Sequence, residues 1–292
     1  MTAPVSRFAP SPTGPLHLGH AYSALQAHDL ARARHGAFLL RIEDIDPGRR
    51  RAIHVDGIIA DLSWLGLHWD DAITYQSERL PLYADALDRL RRDGLVYPCF
   101  CTRAAIAAEV AASASAPHPG TEPGAGGPDG PVYPGTCRRL PPAERARRQA
   151  EEPHAWRLDV TAAAARAGPL AWEDSSAGLV AADPARFGDV VLARKDAPVS
   201  YHLAVTVDDA AQGITDVVRG RDLFEATHVH RLLQALLGLP TPRYHHHQLL
   251  TDAHGNRLAK RTGAPALADL REAGADPRTL IDGLRAGQLP II

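Results

Sequence analysis

RFAPSPTGPLHLGHAYSALQAHDLAR, residues 7–32, decides the fold. With the two residues before it, the run Val5-Ser6-Arg7-Phe8-Ala9 has the character of a short strand. Pro10, Pro12, Gly14 and Pro15 then make a turn, because proline offers no ladder N–H and these residue types cluster in turns. A helix is expected to start near Leu16 to Gly19 and to run to about Arg34. His17 and His20 are three apart, so they share a face at its N-terminus. Free N–H groups and partial positive charge at that end suit phosphate, to whose oxygens two imidazoles can donate. Gly19, between them, has no Cβ, so a flat ligand can come close to the backbone. Taken alone, H-x-x-H is more often two surface histidines on an ordinary helix.

Outward from this block, 36–42 is an apolar run of the buried parallel-strand type. It ends in Glu43-Asp44-Ile45-Asp46-Pro47, and carboxylates just past the C-terminal end of a parallel strand sit where α/β sheets bind ligands. Glu43 can hold an ammonium group there; equally, these acids can cap the next helix or pair with Arg49 to Arg51. Helical spacing returns over 53–65 (Ile58, Ile59, Leu62, Leu65), closed by Gly66, and over 82–93, closed by Gly94. Trp64 and Trp69 read as core. Strand and helix alternate, as a doubly wound parallel sheet requires.

Cys99 and Cys101 flank Phe100, and Cys137 follows Tyr133 by four residues. Three cysteines, an odd number, argue against a disulfide framework. The alternatives are three unrelated thiols or a metal site, for which thiolates favour zinc in a closed structural tetrahedron. By chemistry His118 is an ordinary fourth ligand and Tyr133 an unusual one. The stretch 110–131, almost wholly Ala, Ser, Pro and Gly, is expected to be a flexible loop. The basic run Arg138-Arg139 and Arg145 to Arg148 can touch RNA phosphates, or it is a solvated helix face balanced by Glu144, Glu151 and Glu152. Residues 156–159 and 171–187 read as strands and turns of an inserted domain.

Further on, Leu203 to Val207 reads as a central strand or its approach, preceded by Tyr201 and His202 and closed by Asp208-Asp209. A strand over 214–218 delivers Arg219, and Gly220 lets the chain turn. A helix is expected over 227–237, ending at Gly238. Tyr244-His245-His246-His247 is no metal site, because adjacent strand residues face opposite sides and cannot all chelate one ion. NRLAKRTG at 256–263 precedes two short helical patterns, 265–273 and 277–286.

The 292 residues suffice for one large or two medium domains, and 45% hydrophobic with 23% charged residues is ordinary for a soluble globular chain. A net charge of −2 and a pI near 6.7 exclude gripping nucleic acid by bulk charge, so any RNA contact must be a local patch. No run of about 20 apolar residues exists for a membrane span, and the N-terminus lacks a secretory pattern. The expected location is the cytoplasm.

Together these blocks resemble class I aminoacyl-tRNA synthetases of the glutamyl/glutaminyl branch. HLGH at 17–20 is similar to the HIGH signature, and RFAPSPTG, RIEDIDP, the Y-x-L-A-V-x-x-DD run at 201–209 and Arg219 follow in the branch's order. Lys260 lies in a run similar to the KMSKS loop, degenerate at its first and third positions. The C-x-C…Y-x-x-x-C pattern at Cys99, Cys101, Tyr133 and Cys137 resembles the glutamyl-Q tRNA(Asp) synthetase family, and that resemblance makes Tyr133 the fourth zinc ligand. It implies a Rossmann-type core in two halves, 1–97 and 188–263, a zinc-containing insert over 98–187 and a helical tail over 264–292. No anticodon-reading domain is expected. His17, Gly19, His20 and Lys260 are implied as the ATP site, with His17, His20 and Lys260 catalytic and Mg²⁺ on the phosphates. Arg7, Phe8, Ala9, Pro10, Ser11, Glu43, Tyr201 and Arg219 are implied to bind L-glutamate. The activity implied is tRNA-independent activation of glutamate and its transfer to queuosine at the wobble position of tRNA(Asp), by a monomer. Transfer to a different acceptor, or a non-catalytic binding module, are the other readings.

Overall fold

The computed structural model describes residues 3–114, 127–128, 130–251 and 265–287. In chain order its elements are β1 (Val5–Phe8), α1 (Leu18–Arg32), β2 (Ala37–Ile42), α2 (Ala52–Trp64), β3 (Thr74–Tyr75), α3 (Leu80–Arg92), β4 (Val96–Cys99), α4 (Arg103–Ala114), α5 (Pro142–Glu151), β5 (Ala155–Leu158), α6 (Val160–Ala167), β6 (Ala171–Asp174), β7 (Gly178–Ala181), β8 (Val191–Ala193), α7 (Tyr201–Ala211), β9 (Asp216–Gly220), α8 (Ala226–Leu237), β10 (Arg243–His247), α9 (Leu267–Glu272) and α10 (Pro277–Arg285). Lys260 and the rest of 256–263, with His118, lie outside the described residues.

The parallel layer positions the site. β1 pairs with β2, Val5 opposite Ala37 to Phe8 opposite Leu40, and β2 pairs with β3. On the other side of β1 lies β9: Thr215 N–H donates to Val5 O at 3.0 Å, and Val5 N–H to Thr215 Oγ1 at 2.8 Å. β10 pairs parallel with β9 and with β6, and β7 closes that edge antiparallel. From β1 the chain winds outward to β2 and β3, then returns to set β9 and β10 on the opposite side. β1 and β9 therefore flank a switch point, and a crevice opens past their C-terminal ends, beyond Phe8 and Gly220.

Small residues let α1 close onto this layer: Ala21, Ala24, Ala27 and Ala31 are fully buried, and Ser6 Oγ–H donates to Ala27 O at 2.7 Å. Leu267 and Leu270 of α9 and Leu280 and Leu284 of α10 join the same core as Leu25, Ile58 and Leu62. Each such leucine contributes about 1.5–3 kcal/mol on burial. A second core gathers Leu90, Leu203, Leu232 and Leu233, tying α3, α7 and α8 together.

Three expectations need correction. The 203–207 run is not a strand but the middle of α7. Leu203, Ala204, Val205 and Thr206 are all buried, and a short run buried on every side has no period that separates strand from helix. Helix α4 continues to Ala114, so 110–114 is helical where a loop was expected, in keeping with the helix preference of alanine. Gly220 has an ordinary backbone, φ −65°. What glycine supplies there is space, since a Cβ would lie 2.5 Å from Asp222 Oδ1 and 2.8 Å from a Leu249 methyl.

An antiparallel sheet, β4-β5-β8, carries Cys99 at the end of β4. The β6–β7 hairpin pairs with β10 and not with this sheet. The basic run is largely consumed internally: Arg147 pairs with Glu144 and Glu151, Arg148 with Glu152, and Arg138 with Asp159 and Asp189. Among the described residues no helix is long and apolar enough to cross a membrane.

Candidate active site

The crevice holds a cavity of about 580 Å³, a volume that suits a small-molecule ligand. Residues 7–11, His17, Gly19, His20, Glu43, Tyr201 and Arg219 all line it. Blocks scattered over more than two hundred residues of sequence therefore meet in one place.

His17 caps α1. Its Nδ1 accepts Gly19 N–H at 3.1 Å, His20 Nδ1 accepts His17 N–H at 3.2 Å, and the two rings lie 3.8 Å apart. A backbone N–H can only donate, so both Nδ1 atoms are acceptors and each neutral ring carries its proton on Nε2. The site thus presents two imidazole donors at a helix N-terminus, an arrangement that stabilises negative charge. Ala266 bridges to His17, and Leu267 N–H donates to Leu16 O, so the residues after 252–264 dock on the histidine block.

Arg219, buried at the end of β9, is dressed entirely by neutral groups. Its Nε donates to His246 Nε2 at 3.1 Å, one terminal nitrogen to Thr227 Oγ1 at 2.7 Å, and the other to Tyr201 Oη and His230 Nδ1, both at 3.3 Å. Burial and the adjacent guanidinium push His246 down to about 4 and His230 well below its usual range, so both stay neutral. Among the described residues no carboxylate lies in ion-pair range of Arg219. A buried cation without an anion is poised to receive one.

Arg7 is different. Its Nε and one terminal nitrogen meet Asp209 at 2.9 and 3.2 Å, a bidentate pair. Asp209 also accepts from fully buried Arg41 at 2.9 Å. Burial opposes the Asp209 charge, but Arg7 and Arg41 outweigh it and hold this carboxyl below its usual range. Glu43 lies 3.6 Å from Arg41, and burial pushes its carboxyl up to about 7 against the pull of Arg41 and Arg7. Among the described residues, the walls are thus set with one uncompensated cation, Arg219, and one carboxyl poised between its charged and neutral forms, Glu43.

Sequence reading missed the support behind these groups: Arg41, Asp174, Thr227 and His230. It noted Asp208-Asp209 without separating their roles. A charged residue within an otherwise apolar strand run, next to the last residue of β2, was the available signal for Arg41.

A second cavity of about 680 Å³ adjoins the first at Ser11, Thr13, Glu43 and Tyr201 and runs toward Tyr133 and Arg157. Behind it the sulfurs of Cys99, Cys101 and Cys137 lie within 4.8 Å of one another and could hold a metal ion. Tyr133 Oη stands 3.5 Å from the Cys99 and Cys101 sulfurs, and Cys101 Sγ 3.5 Å from Cys137 Sγ. A tetrahedron with metal–sulfur bonds of about 2.3 Å has edges of roughly 3.8 Å, so these four donors fit with small adjustment. Burial raises the Tyr133 phenol and pushes the Cys101 thiol up to about 11, whereas at Cys137 burial is outweighed by hydrogen bonds from Tyr133 and the Phe100 N–H that hold the thiol below its usual range, so a cation is what would ionise Tyr133 and Cys101. Arg157 stacks 4.0 Å over the Tyr133 ring and donates to Cys99 Sγ at 3.3 Å.

A parallel α/β layer with a crevice at its switch point, on the N-terminus of a histidine-capped helix, is the plan of class I aminoacyl-tRNA synthetase catalytic domains. The model of one family, tRNA synthetases class I (E and Q), catalytic domain, matches residues 5–289. The chain belongs to this family and is a ligase. It is 51% identical over 280 residues to a glutamyl-Q tRNA(Asp) synthetase of Rhodobacter capsulatus, covering 94% of this chain and 96% of that one. To a protein of the same name from Symbiobacterium thermophilum it is 45% identical, over 95% of this chain and 84% of the relative. A glutamate tRNA ligase from Elizabethkingia meningosepticum, in complex with its amino acid, superposes with a TM-score of 0.79 at 27% identity. That match covers 97% of this chain but 60% of the solved one, so the chain spans about three fifths of that ligase's length.

Proposed function

We propose that the chain activates L-glutamate with ATP and transfers it to queuosine at the wobble position of tRNA(Asp). The convergence of residues 7–11, His17, His20, Glu43, Tyr201 and Arg219 on one cavity carries this reading. A glutamate zwitterion brings one ammonium and two carboxylates. Glu43 takes the ammonium, Arg219 and Tyr201 take carboxylate oxygen, Arg7 meets the side chain, and the 8–11 backbone lies alongside. The α-carboxylate attacks the α-phosphorus of ATP, the bond to pyrophosphate breaks, and glutamyl-adenylate forms. The nucleophile is already ionised, so no general base is needed. The work is alignment and charge stabilisation, by the Nε2 donors of His17 and His20 and by Lys260, with Mg²⁺ on the phosphates. A queuosine hydroxyl then attacks the carbonyl carbon, the ester bond forms as the bond to AMP breaks, and the hydroxyl proton passes to the departing phosphate. The cavity of about 680 Å³ gives the acceptor nucleotide room beside Glu43 and Tyr201, with Arg49, Arg50, Arg103 and Arg194 on its walls. Cys99, Cys101, Tyr133 and Cys137 hold one structural zinc, which the stoichiometry of bound metal checks. The enzyme acts as a monomer.

The test is transfer of labelled glutamate, with ATP and Mg²⁺, onto tRNA from queuosine-containing and queuosine-lacking cells. Label confined to aspartate tRNA of the first pool is expected. Equal labelling of both pools would overturn queuosine as the acceptor, and absence of glutamate-dependent pyrophosphate exchange would overturn the activation step.

Glu43 makes the activation step pH-dependent. Its carboxyl, raised to about 7, is neutral below that pH and cannot then hold an ammonium group. The kcat/KM for glutamate in pyrophosphate exchange is expected to fall about tenfold per pH unit below 7 and to level off above it. In Glu43→Gln the value is low and the slope absent; a wild-type slope in that variant would remove Glu43 from ammonium binding.

A further inference from the structure

We infer that Asp174, on β6, is a positioning residue that acts through His246 to keep a lone pair aimed at Arg219. The inference rests on the proposed role of Arg219 in holding a substrate carboxylate, and adds a specificity device behind it.

The chemistry is forced by what each atom can do. Arg219 has only donors, so the His246 Nε2 that faces its Nε at 3.1 Å must be an acceptor. The proton of His246 then sits on Nδ1, which donates to Asp174 Oδ2 at 2.7 Å. Asp174 and His246 side chains are both essentially without exposure, at 0% and 1%, so water cannot stand in for either. The same logic runs down the other side. His230 Nδ1 accepts from Arg219, so its Nε2–H donates to His202 Nδ1 at 3.2 Å. Two imidazoles thus offer lone pairs to one guanidinium, and neither brings negative charge.

That separation matters for choosing a ligand. A carboxylate placed directly on Arg219 would neutralise it and leave a substrate carboxylate little to gain. Asp174 supplies its charge one residue removed, where it fixes a tautomer instead. The burial and positive neighbour that hold His246 near 4 keep the lone pair in place across working pH. A carboxylate group of the substrate is then held more tightly at this position than an uncharged group in its place, because the latter brings no charge to a buried cation.

Asp174→Asn separates this role from support of the local turn. Oδ1 of Asp174 accepts three donors, Ser176 N–H at 2.9 Å, Ser176 Oγ–H at 2.7 Å and Ala177 N–H at 2.9 Å. In the asparagine variant those donors hold the amide oxygen on the turn, which presents the NH₂ group to His246. Nδ1 must then accept, the ring proton moves to Nε2, and two donors face each other at Arg219.

The experiment combines kinetics with histidine nitrogen NMR on the full chain. In wild type one buried histidine is expected as the Nδ1–H tautomer, and in Asp174→Asn its signal moves to the Nε2–H pattern. In pyrophosphate exchange the variant is expected to raise KM for glutamate at least tenfold, to leave KM for ATP within about twofold, and to unfold at nearly the wild-type temperature. In a His246→Gln background, where a carboxamide can accept from Arg219 in either case, the Asp174→Asn effect shrinks below threefold. An unchanged tautomer, an unchanged glutamate KM, or equal losses for glutamate and ATP in both backgrounds would overturn the inference. A wild-type chain silent with glutamate, but whose tautomer still switches in Asp174→Asn, would overturn the functional reading and leave the positioning role standing.

Discussion

Arg219→Leu is expected to lower kcat/KM for glutamate in pyrophosphate exchange by about 10²–10⁴, because two charge-assisted hydrogen bonds of about 1.5–3 kcal/mol each are lost. The size of the effect follows from the surroundings of Arg219. Arg7 is already neutralised by Asp209 on two of its nitrogens. Arg41 is committed to Asp209 and Gln212. Arg219 alone among these three meets only uncharged partners, so a substrate carboxylate gains most there. The fold should survive, since leucine removes a buried charge that no anion balances while it orphans the acceptors of His246 and His230, and these effects oppose each other. Arg219→Lys keeps the charge but loses the planar fork, and it should stay at least tenfold below wild type. A glutamate kcat/KM within threefold of wild type in the leucine variant would show that the substrate charge is met elsewhere.

This site was legible in sequence where chemistry sits on consecutive residues. The 7–32 stretch gives strand, turn and capped helix from local rules alone, and β1, α1 and the His17–His20 pair follow from it. Alternation along 244–247 likewise holds: Tyr244 and His246 are buried, while their neighbours are not. What stayed illegible depends on partners distant along the chain. Asp174 meets His246 across 72 residues, and Arg41 meets Asp209 across 168. Nothing local distinguishes Asp174 from any aspartate before a turn, and its turn bonds would have sufficed to explain it. The helix α7 was hidden for the opposite reason: so much of it is buried that its polar positions, which normally report the period, became the charged residues of the site.

Asp208 and Asp209 show how far that concealment goes, and they predict opposite outcomes. Asp208→Ala is expected to cost about 3–5 kcal/mol of stability, the range for removing one partner from a buried charged cluster. Its carboxylate is wholly buried and accepts from Arg79 Nε at 2.7 Å, Gln76 Nε2 at 2.8 Å and Tyr83 Oη at 2.8 Å, with Arg41 Nε 3.8 Å away. Alanine would strand the three donors of the 76–83 stretch at once, with Arg41 of β2 beside them, and leave only the apolar core to join α3 to α7. One residue on, and about 100° around the helix, Asp209 faces Arg7 and Arg41 instead. Asp209→Asn keeps the shape and one acceptor but loosens the bidentate hold on Arg7, which can then swing away from the place where it meets the substrate side chain. It is expected to raise KM for glutamate at least tenfold while its unfolding midpoint in urea falls much less than that of Asp208→Ala. Equal destabilisation by the two changes, with glutamate KM untouched in Asp209→Asn, would mean that both aspartates serve the fold and that Arg7 is held in place by the backbone of β1 alone.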